Sequence, residues 1–508
     1  MKCKVGVLLV IGFIASLWAG FIPNVRVDHE NRSSHACFHA MVNVGPSDSV
    51  QPVYVTFQND SIVGIVAVRS DVYFQKSTDG GRTWLAEDRL IKRGSTFACY
   101  PDITTDPRNG MLYIVYTERV NSSNGHIYCV SSTNQGATWS SPKIVDDNPT
   151  PVAMGWARIA VDTAGNLFCA WNDFRTGRSR IWSSVSTDQG NSWSQNVIVA
   201  DDTVPGDAFH ADVFVQPGTN HYLVTATAPY WVRPGYINSN SVFYRSTDMG
   251  QSFEPGAVLD TFSDYCGQPH VVADEGHIIC DFTGSVSGNQ METEARVLFT
   301  PPDSWSSTVA VTDLDTLYSS YLNGAKLAIS PDGRVHTALM IADVVSWEYN
   351  VYYASSDSHG LYWNEREMVN DVTTNMQVDP DIAVDNSGFA YVVWQDGRNN
   401  RNEIWFSTNN QVGIIAQEPV ARPGSLSCLP TVFCHFTTIL TDAPKVAIYD
   451  ATGRLVRMLT SDSQSLATGT FVWDGRDGAN RRCPPGVYLV KTGSSGGCQK
   501  VTLVSDRY

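Results

Sequence analysis

Beyond its first twenty residues, the 508-residue chain has no uninterrupted apolar run near the eighteen residues that a membrane-crossing helix needs. Positive charge is also scarce, with 35 Lys and Arg against 51 Asp and Glu. Setting aside Lys2 and Lys4, which lie in the leader described below, leaves 33 minus 51, a net of −18. A surface of that sign repels nucleic acid and anionic membrane, so an anionic ligand would need a local cluster of Arg and Lys working against the global field. Helical periodicity is nearly missing, and no glycine-rich nucleotide loop precedes a helix; "GPSDS" at 45–49 and "GRNNR" at 397–401 read as turns. No His-Glu-x-x-His phrase occurs, and "TDLDT" at 312–316 is too short for a calcium loop. No cofactor and no metal are expected.

At the N-terminus, Lys2 and Lys4 precede an apolar run from Val5 to Trp18, too short to span a bilayer. Residues 1–20 read as a secretory signal peptide, which predicts a secreted or bacterial cell-surface protein with no membrane span in the mature chain. Ten cysteines remain after Cys3, an even number that permits disulfides in an exported chain. Cys428, Cys434, Cys483 and Cys498 crowd into the C-terminal part. Cys37, Cys129 and Cys169 fall on strand-like stretches, where buried free thiols are the alternative.

One eight-residue phrase dominates what is present: "STDGGRTW" at 77–84, "STNQGATW" at 132–139, "STDQGNSW" at 186–193 and "STDMGQSF" at 246–253. Measured between serines it recurs after 55, 54 and 60 residues, with weaker copies in "PPDSW" at 301–305, "SSDSHGLYW" at 355–363 and "STNN" at 407–410. Each unit runs in the same order: a short apolar strand, a Gly turn, a second strand, a polar loop, a third strand, the phrase and a fourth strand. Short strands at a period near fifty predict an all-β fold, a β-propeller of seven four-stranded blades, with six as the alternative. The last unit stops after its third strand, and "NVRVDHE" at 24–30 resembles the fourth strands, so the N-terminal segment is expected to close the ring. The expected layout is a propeller over 21–416, a linker over 417–427 and a small C-terminal β-sandwich over 428–508.

In the phrase Ser-x-Asp-x-Gly-x-x-Trp, the carboxylate accepts backbone N–H groups of its own loop, the Gly supplies positive φ and the Trp folds over the apolar strands. These are the residues of a clasp, namely Asp79, Trp84, Trp139, Asp188, Trp193, Asp248, Asp357 and Trp363. The phrases resemble the Asp boxes, or BNR repeats, of the sialidase superfamily, over about residues 21–416. The C-terminal "YDATGRLVR", "VWDGRDGAN" and "PPGVYLVK" resemble the FlgD-type immunoglobulin-like domain, including type IX secretion sorting domains. That resemblance implies contact with export machinery and surface attachment.

Aligning the units places one residue per unit at the start of the inner strand: His39, Asp102, Arg158, Asp212, His270, Lys326 and Asp381. They are either polar linings of a wet channel or the floor of a binding pocket, with Arg158, His270 and Lys326 as the ligand-binding candidates. In the fourth unit Tyr230, Trp231 and Tyr236 suit stacking on sugar faces, and Arg233 suits an anion. The phrases "WNDFRTGR" and "WQDGRNNR" repeat in equivalent places, which predicts structural ion pairs for Asp173 with Arg175 and Asp396 with Arg398.

Resemblance to sialidases implies an arginine cluster, a Tyr activated by a Glu, and an Asp acid/base; Tyr349, Glu292 and Asp102 are the candidates by position. The chain lacks the Phe/Tyr-Arg-Ile/Leu-Pro phrase that supplies the first arginine in many family members. Two functions follow from different classes: a module that binds carbohydrate or a cell-surface protein, which the missing phrase favours, and a sialidase-type exo-glycosidase.

Overall fold

A computed structural model describes residues 20–410 and 426–503, apart from 31–33, 47–50, 65, 122–123, 200–205, 234–235, 261–265, 288–289, 301–302, 312–317, 320–324, 344–347, 430–431, 434–436, 442–444, 451–452, 461–469, 474, 480 and 493–497. The expected leader, the "TDLDT" segment and most of the expected linker lie outside the described residues. The chain divides into two compact units, Met1–Val412 and Gly413–Tyr508.

Every described regular element is a strand or bridge. In the first unit, seven antiparallel blades follow one another among the described residues; the first three are joined edge to edge into one twelve-stranded sheet, the fourth and seventh have four strands, and the fifth and sixth have five. Their inner strands, which number the blades 1 to 7, are His35–Val44, Phe97–Thr105, Val152–Val161, Phe209–Val215, Cys266–Ala273, Ala325–Ile329 and Gln377–Val384. Second strands such as Leu167–Asp173 and Ala390–Asp396 are buried at every residue. Both faces of a middle strand are covered by adjacent blades, so the sequence there runs apolar without alternating. Each inner strand packs beside the next, and that of blade 7 packs on that of blade 1.

Closure of the ring is made by the N-terminal segment, which supplies the fourth strand of blade 7. Val25 and Arg26 pair with Phe406 and Trp405. Flanking hydrogen bonds run from Ile22 N–H to the Thr408 carbonyl at 2.9 Å and from Val27 N–H to the Ile404 carbonyl at 2.8 Å. The Asp28 carboxylate accepts the Ile404 N–H at 2.7 Å. The third strand of blade 7 is thereby paired on both sides and offers no open edge.

The repeated phrases are turns of one design. In blade 3 the Ser186 hydroxyl donates to Asp188 at 2.9 Å and accepts the Gly190 N–H at 2.9 Å, while Asp188 accepts the Ser192 N–H at 2.8 Å and hydroxyl at 2.6 Å. Asp79 and Asp248 repeat the pattern, and Asn134 substitutes in blade 2. Each turn presses on the preceding blade. Trp139 meets Phe74 edge-on at 5.2 Å, Trp84 meets Phe406 at 5.2 Å, and Trp193 and Trp363 join the core clusters. Gly81 has φ of 90°, and a Cβ there would lie 2.0 Å from the Phe406 ring. Only glycine suits both demands.

In blade 6 the register differs by one residue from the sequence reading. Gly360 N–H bonds Ser356, not Ser355, so the acidic position of the turn is Ser358. Asp357 faces outward and pairs with Arg334 at 2.6 Å. Adjacent serines make the two registers look alike in sequence, and the N–H of Gly360, which needs an acceptor four residues back, decides between them.

The Trp-x-Asp-x-Arg phrases are structural. Asp173 accepts the Trp171 indole N–H at 3.3 Å and Arg175 at 2.6 Å, and Arg175 also reaches Asp147 at 2.7 Å and lies over the Trp182 ring. In blade 7 Asp396 holds Trp394 and Arg398, and Arg398 extends to Asp371 at 2.9 Å and to Asn24 at 3.1 Å. Cys37, Cys99, Cys129, Cys169 and Cys280 are buried free thiols. Burial pushes the Cys129 thiol up to about 12, which makes it inert at neutral pH.

The second unit is two sheets over one core. Leu426–Leu429, Thr437–Thr441 and Thr470–Trp473 form one sheet, and Val432–Phe433, Lys445–Asp450, Leu455–Thr460, Gly486–Lys491 and Cys498–Leu503 form the other. Ile439 and Trp473 from the first pack on Val446, Ile448, Val490 and Val501 from the second.

Candidate functional site

Six inner strands begin with the same irregularity. The ladder shifts between Phe38 and Met41, Cys99 and Asp102, Gly155 and Arg158, Phe209 and Asp212, Gly267 and His270, and Val378 and Asp381. Within each bulge one residue has positive φ: His39 at 48°, Tyr100 at 54°, Trp156 at 50°, His210 at 54°, Gln268 at 51° and Asp379 at 49°. Non-glycine residues avoid this region, and bulges that re-aim a side chain concentrate near functional sites. The next residue is small or proline in all six: Ala40, Pro101, Ala157, Ala211, Pro269 and Pro380.

Side-chain hydrogen bonds from neighbouring second strands hold two of these backbones. Tyr100 N–H donates to Gln58 Oε1 at 3.1 Å, and Gln268 N–H donates to Thr227 Oγ1 at 2.8 Å. The re-aimed side chains form a ledge at the channel mouth. Ring centroids step from His39 to Tyr100 at 5.0 Å, to Trp156 at 4.7 Å and to His210 at 5.6 Å. Asp379 lies 4.0 Å from the His39 ring nitrogen. The ledge surrounds a cavity of about 200 Å³ whose floor includes Arg158, His270 and Lys326. Three of the residues expected to bind a ligand therefore meet at one place.

This register also moves one residue. The counterpart of Asp102 and Arg158 in blade 1 is Met41, and His39 belongs to the ledge. His39 shares the polar character of the inner-strand residues in the other blades, whereas an apolar Met at a channel position carries no such signal.

Below the mouth, the three acidic residues tie blade to blade. Asp102 accepts Ile159 N–H at 2.8 Å, Asp212 accepts Val271 N–H at 3.1 Å and Asp381 accepts Val42 N–H at 2.7 Å. Asp102 also accepts Ile103 N–H at 2.9 Å through its other oxygen. With both oxygens so engaged, its observed work is to join blade 2 to blade 3. Burial pushes the Asp381 carboxyl up to about 6, against the pull of Lys326.

The cations are differently placed. Among the described residues no ion pair joins Arg158 or Lys326 at salt-bridge distance, and Arg158 Nε is buried without a hydrogen-bond partner. Burial, and next the charge of Arg158, lower the Lys326 ammonium from its ordinary value. Two like charges held together without a direct counterion are a site that an anion would relieve. Burial and the same cations push His210 down to about 4, and they also lower His270, so both imidazoles are neutral at pH 7. His270 Nδ1 faces Asp281 at 3.1 Å, and burial raises that carboxyl well above its usual range.

The remaining candidates are elsewhere. Glu292 is buried in the third strand of blade 5 opposite Gly284, and Tyr349 starts the third strand of blade 6 opposite Ala342. Neither lines the mouth cavity. Tyr230, Trp231, Arg233 and Tyr236 fall on paired strands, Tyr222–Arg233 and Tyr236–Ser246, and their side chains lie outside the described residues.

Residues 438–497 match the FlgD Ig-like domain. No curated relative matches the chain. Among solved structures, the chain is similar to an alpha-L-arabinofuranosidase of Fusarium graminearum in complex with arabinobiose, at 12% identity and a TM-score of 0.43, covering 76% of this chain and 97% of that one. It is similar to a Hadza microbial sialidase at 14% identity and 0.44, covering 73% and 65%. An ulvan lyase bound to a glucuronate–sulfated rhamnose unit matches at 10% identity and 0.48, covering 76% and 95%.

Proposed function

We propose that the propeller binds an acidic saccharide at the channel mouth. The observation that carries this is the pair Arg158 and Lys326, without an ion-pair partner among the described residues and set beneath a ledge of four rings. Tyr100 and Trp156 supply faces on which a sugar ring stacks, and the cations recognise its carboxylate or sulfate. Export through the leader at 1–20 and surface attachment through the FlgD-like domain complete the reading, a protein that holds acidic glycans outside the cell. Hydrolysis is less well supported, because Asp379 is the one carboxylate among the described lining residues, and the Tyr349, Glu292 and Asp102 expected of a sialidase-type enzyme do not line the mouth.

One observation favours a second reading, elimination from a uronate. Neutral imidazoles stand beside the cations, as abstraction of the proton at C5 requires. Arg158 and Lys326 would neutralise the carboxylate and His210 would take the C5 proton. The C4–O bond would then break as the C4–C5 double bond forms, with Tyr100 protonating the leaving oxygen.

The test is calorimetric titration of the mature chain with uronate-containing, sialylated, sulfated and neutral oligosaccharides, together with ultraviolet absorbance of any unsaturated product. Binding confined to acidic members, and weakened at least tenfold by Arg158→Ala or Lys326→Met, is the expected result. Equal affinity for neutral sugars, or no effect of either substitution, would sink the proposal. Product absorbance lost in His210→Ala would establish the second reading.

A further inference from the structure

Far from the mouth, a second cluster of donors spans blades 5 and 6. Asp274 and His277 stand on the turn that leaves the inner strand of blade 5 at its far end, and His359 comes from the repeated turn of blade 6. Asp274 lies 3.0 Å from His277 Nδ1 through one oxygen and 2.8 Å from His359 Nδ1 through the other. The two imidazoles stack with centroids 4.0 Å apart. One ligand atom from each residue falls within 4.8 Å of the others.

A carboxylate accepting two imidazole N–H groups would account for part of this arrangement. It does not account for His359, whose Nδ1 is buried and close to Asp274 yet makes no hydrogen bond with it. The carboxylate is already fixed, because Gly276 N–H and His277 N–H donate to Oδ1 at 2.8 and 2.7 Å, and its Oδ2 lies between the two rings, 3.2 Å from His277 Nδ1 and 2.8 Å from His359 Nδ1. Backbone crowding keeps His359 in place, since a Cβ on Gly333 would approach its Cε1 to 2.5 Å. Four ligands at ~2.1 Å around a tetrahedral zinc stand about 3.4 Å apart. The 2.8 and 3.0 Å separations here would need only small side-chain adjustments to admit an ion.

We propose that Asp274, His277 and His359 bind a divalent transition-metal ion of the zinc class, with the remaining position open to water. Two imidazoles and a carboxylate form a borderline donor set that suits zinc over calcium or magnesium. The ion fastens blade 5 to blade 6 at a repeated turn that lacks its own carboxylate. Ser358 replaces the acidic residue there, and its hydroxyl contacts are long, 3.4 Å to Ser356 and 3.4 Å to the Tyr362 carbonyl. His359 is thus the device by which this turn, short of its own carboxylate, uses one from the neighbouring blade.

The full mature chain, stripped with chelator, would be titrated with zinc sulfate by calorimetry and with cobalt chloride by visible absorbance. The expected result is one equivalent per chain, tetrahedral cobalt bands, and a zinc-dependent rise in the unfolding midpoint. All three should be lost, with affinity down at least tenfold, in His359→Gln and in His277→Gln. His359 is a third exposed, so the first variant should fold. Sub-stoichiometric binding, or binding unchanged in both variants, would overturn the proposal.

Discussion

Asp396→Ala removes a buried partner at the closure of the ring. The Asp396 side chain is fully buried, and it accepts Trp394 Nε1 at 2.9 Å, Arg398 N–H at 2.9 Å and the Arg398 guanidinium at 2.9 and 2.7 Å. Arg398 is itself nearly buried, with the Trp405 ring beneath it and contacts to Asp371 and Asn24. Truncating Asp396 therefore leaves a buried guanidinium without its main counterion, a change that costs about 3–5 kcal/mol. With an unfolding entropy of ~2.1 cal/mol/K per residue over roughly 390 residues, the midpoint should fall by about 4–6 °C. Thermal and urea unfolding followed by tryptophan fluorescence would measure it. The double variant Asp396→Leu with Arg398→Met should recover at least half of the loss, because no charge is then left buried. Asp173→Ala, the same change in blade 3, should cost less, since Arg175 holds no terminal strand. A loss below about 1 kcal/mol for Asp396→Ala, or no recovery in the double variant, would refute the reasoning.

Asp188→Ala should destabilise by about 1–2 kcal/mol through the lost turn hydrogen bonds, whereas Asp357→Ala should change stability by less than ~0.5 kcal/mol. Denaturant midpoints for the two would decide the blade 6 register. Gly81→Ala forces a Cβ onto Phe406 at positive φ and should cost about 2–4 kcal/mol by the same assay. Asp381, with its carboxyl raised to about 6, gives a pH test. Below that value it is neutral and the channel is more positive, so an acidic ligand should bind more tightly as pH falls from 7 to 5, and Asp381→Asn should flatten the titration curve. Because the folded value exceeds the unfolded one, the same group lowers stability as pH rises from about 4 to about 6.

The turns and the ion pairs were readable because each states its chemistry within a few residues. Ser77 to Trp84 contains its own acceptor, its positive-φ glycine and its lid, and Trp171 to Arg175 contains both charges. The mouth was half readable. Arg158, His270 and Lys326 stand out as polar residues in apolar strands, but the ledge residues do not. Tyr100 and Trp156 look like ordinary strand aromatics, and nothing local announces that their backbone turns over. The recurring Ala or Pro that follows each is the signal that could have found them. His359 and Asp274 are joined only by the packing of one blade on the next, a relation that no local window contains.

The six bulges have a consequence for how this surface could change over time. Each ledge residue occupies the same backbone conformation, so histidine, tyrosine, tryptophan, glutamine and aspartate have all been accepted in equivalent sockets. The conformation is set by the ladder shift beneath the socket, and the side chain it displays is left open to exchange. A ring built this way can trade one recognition group for another at a single codon, blade by blade, without rebuilding the scaffold that presents them.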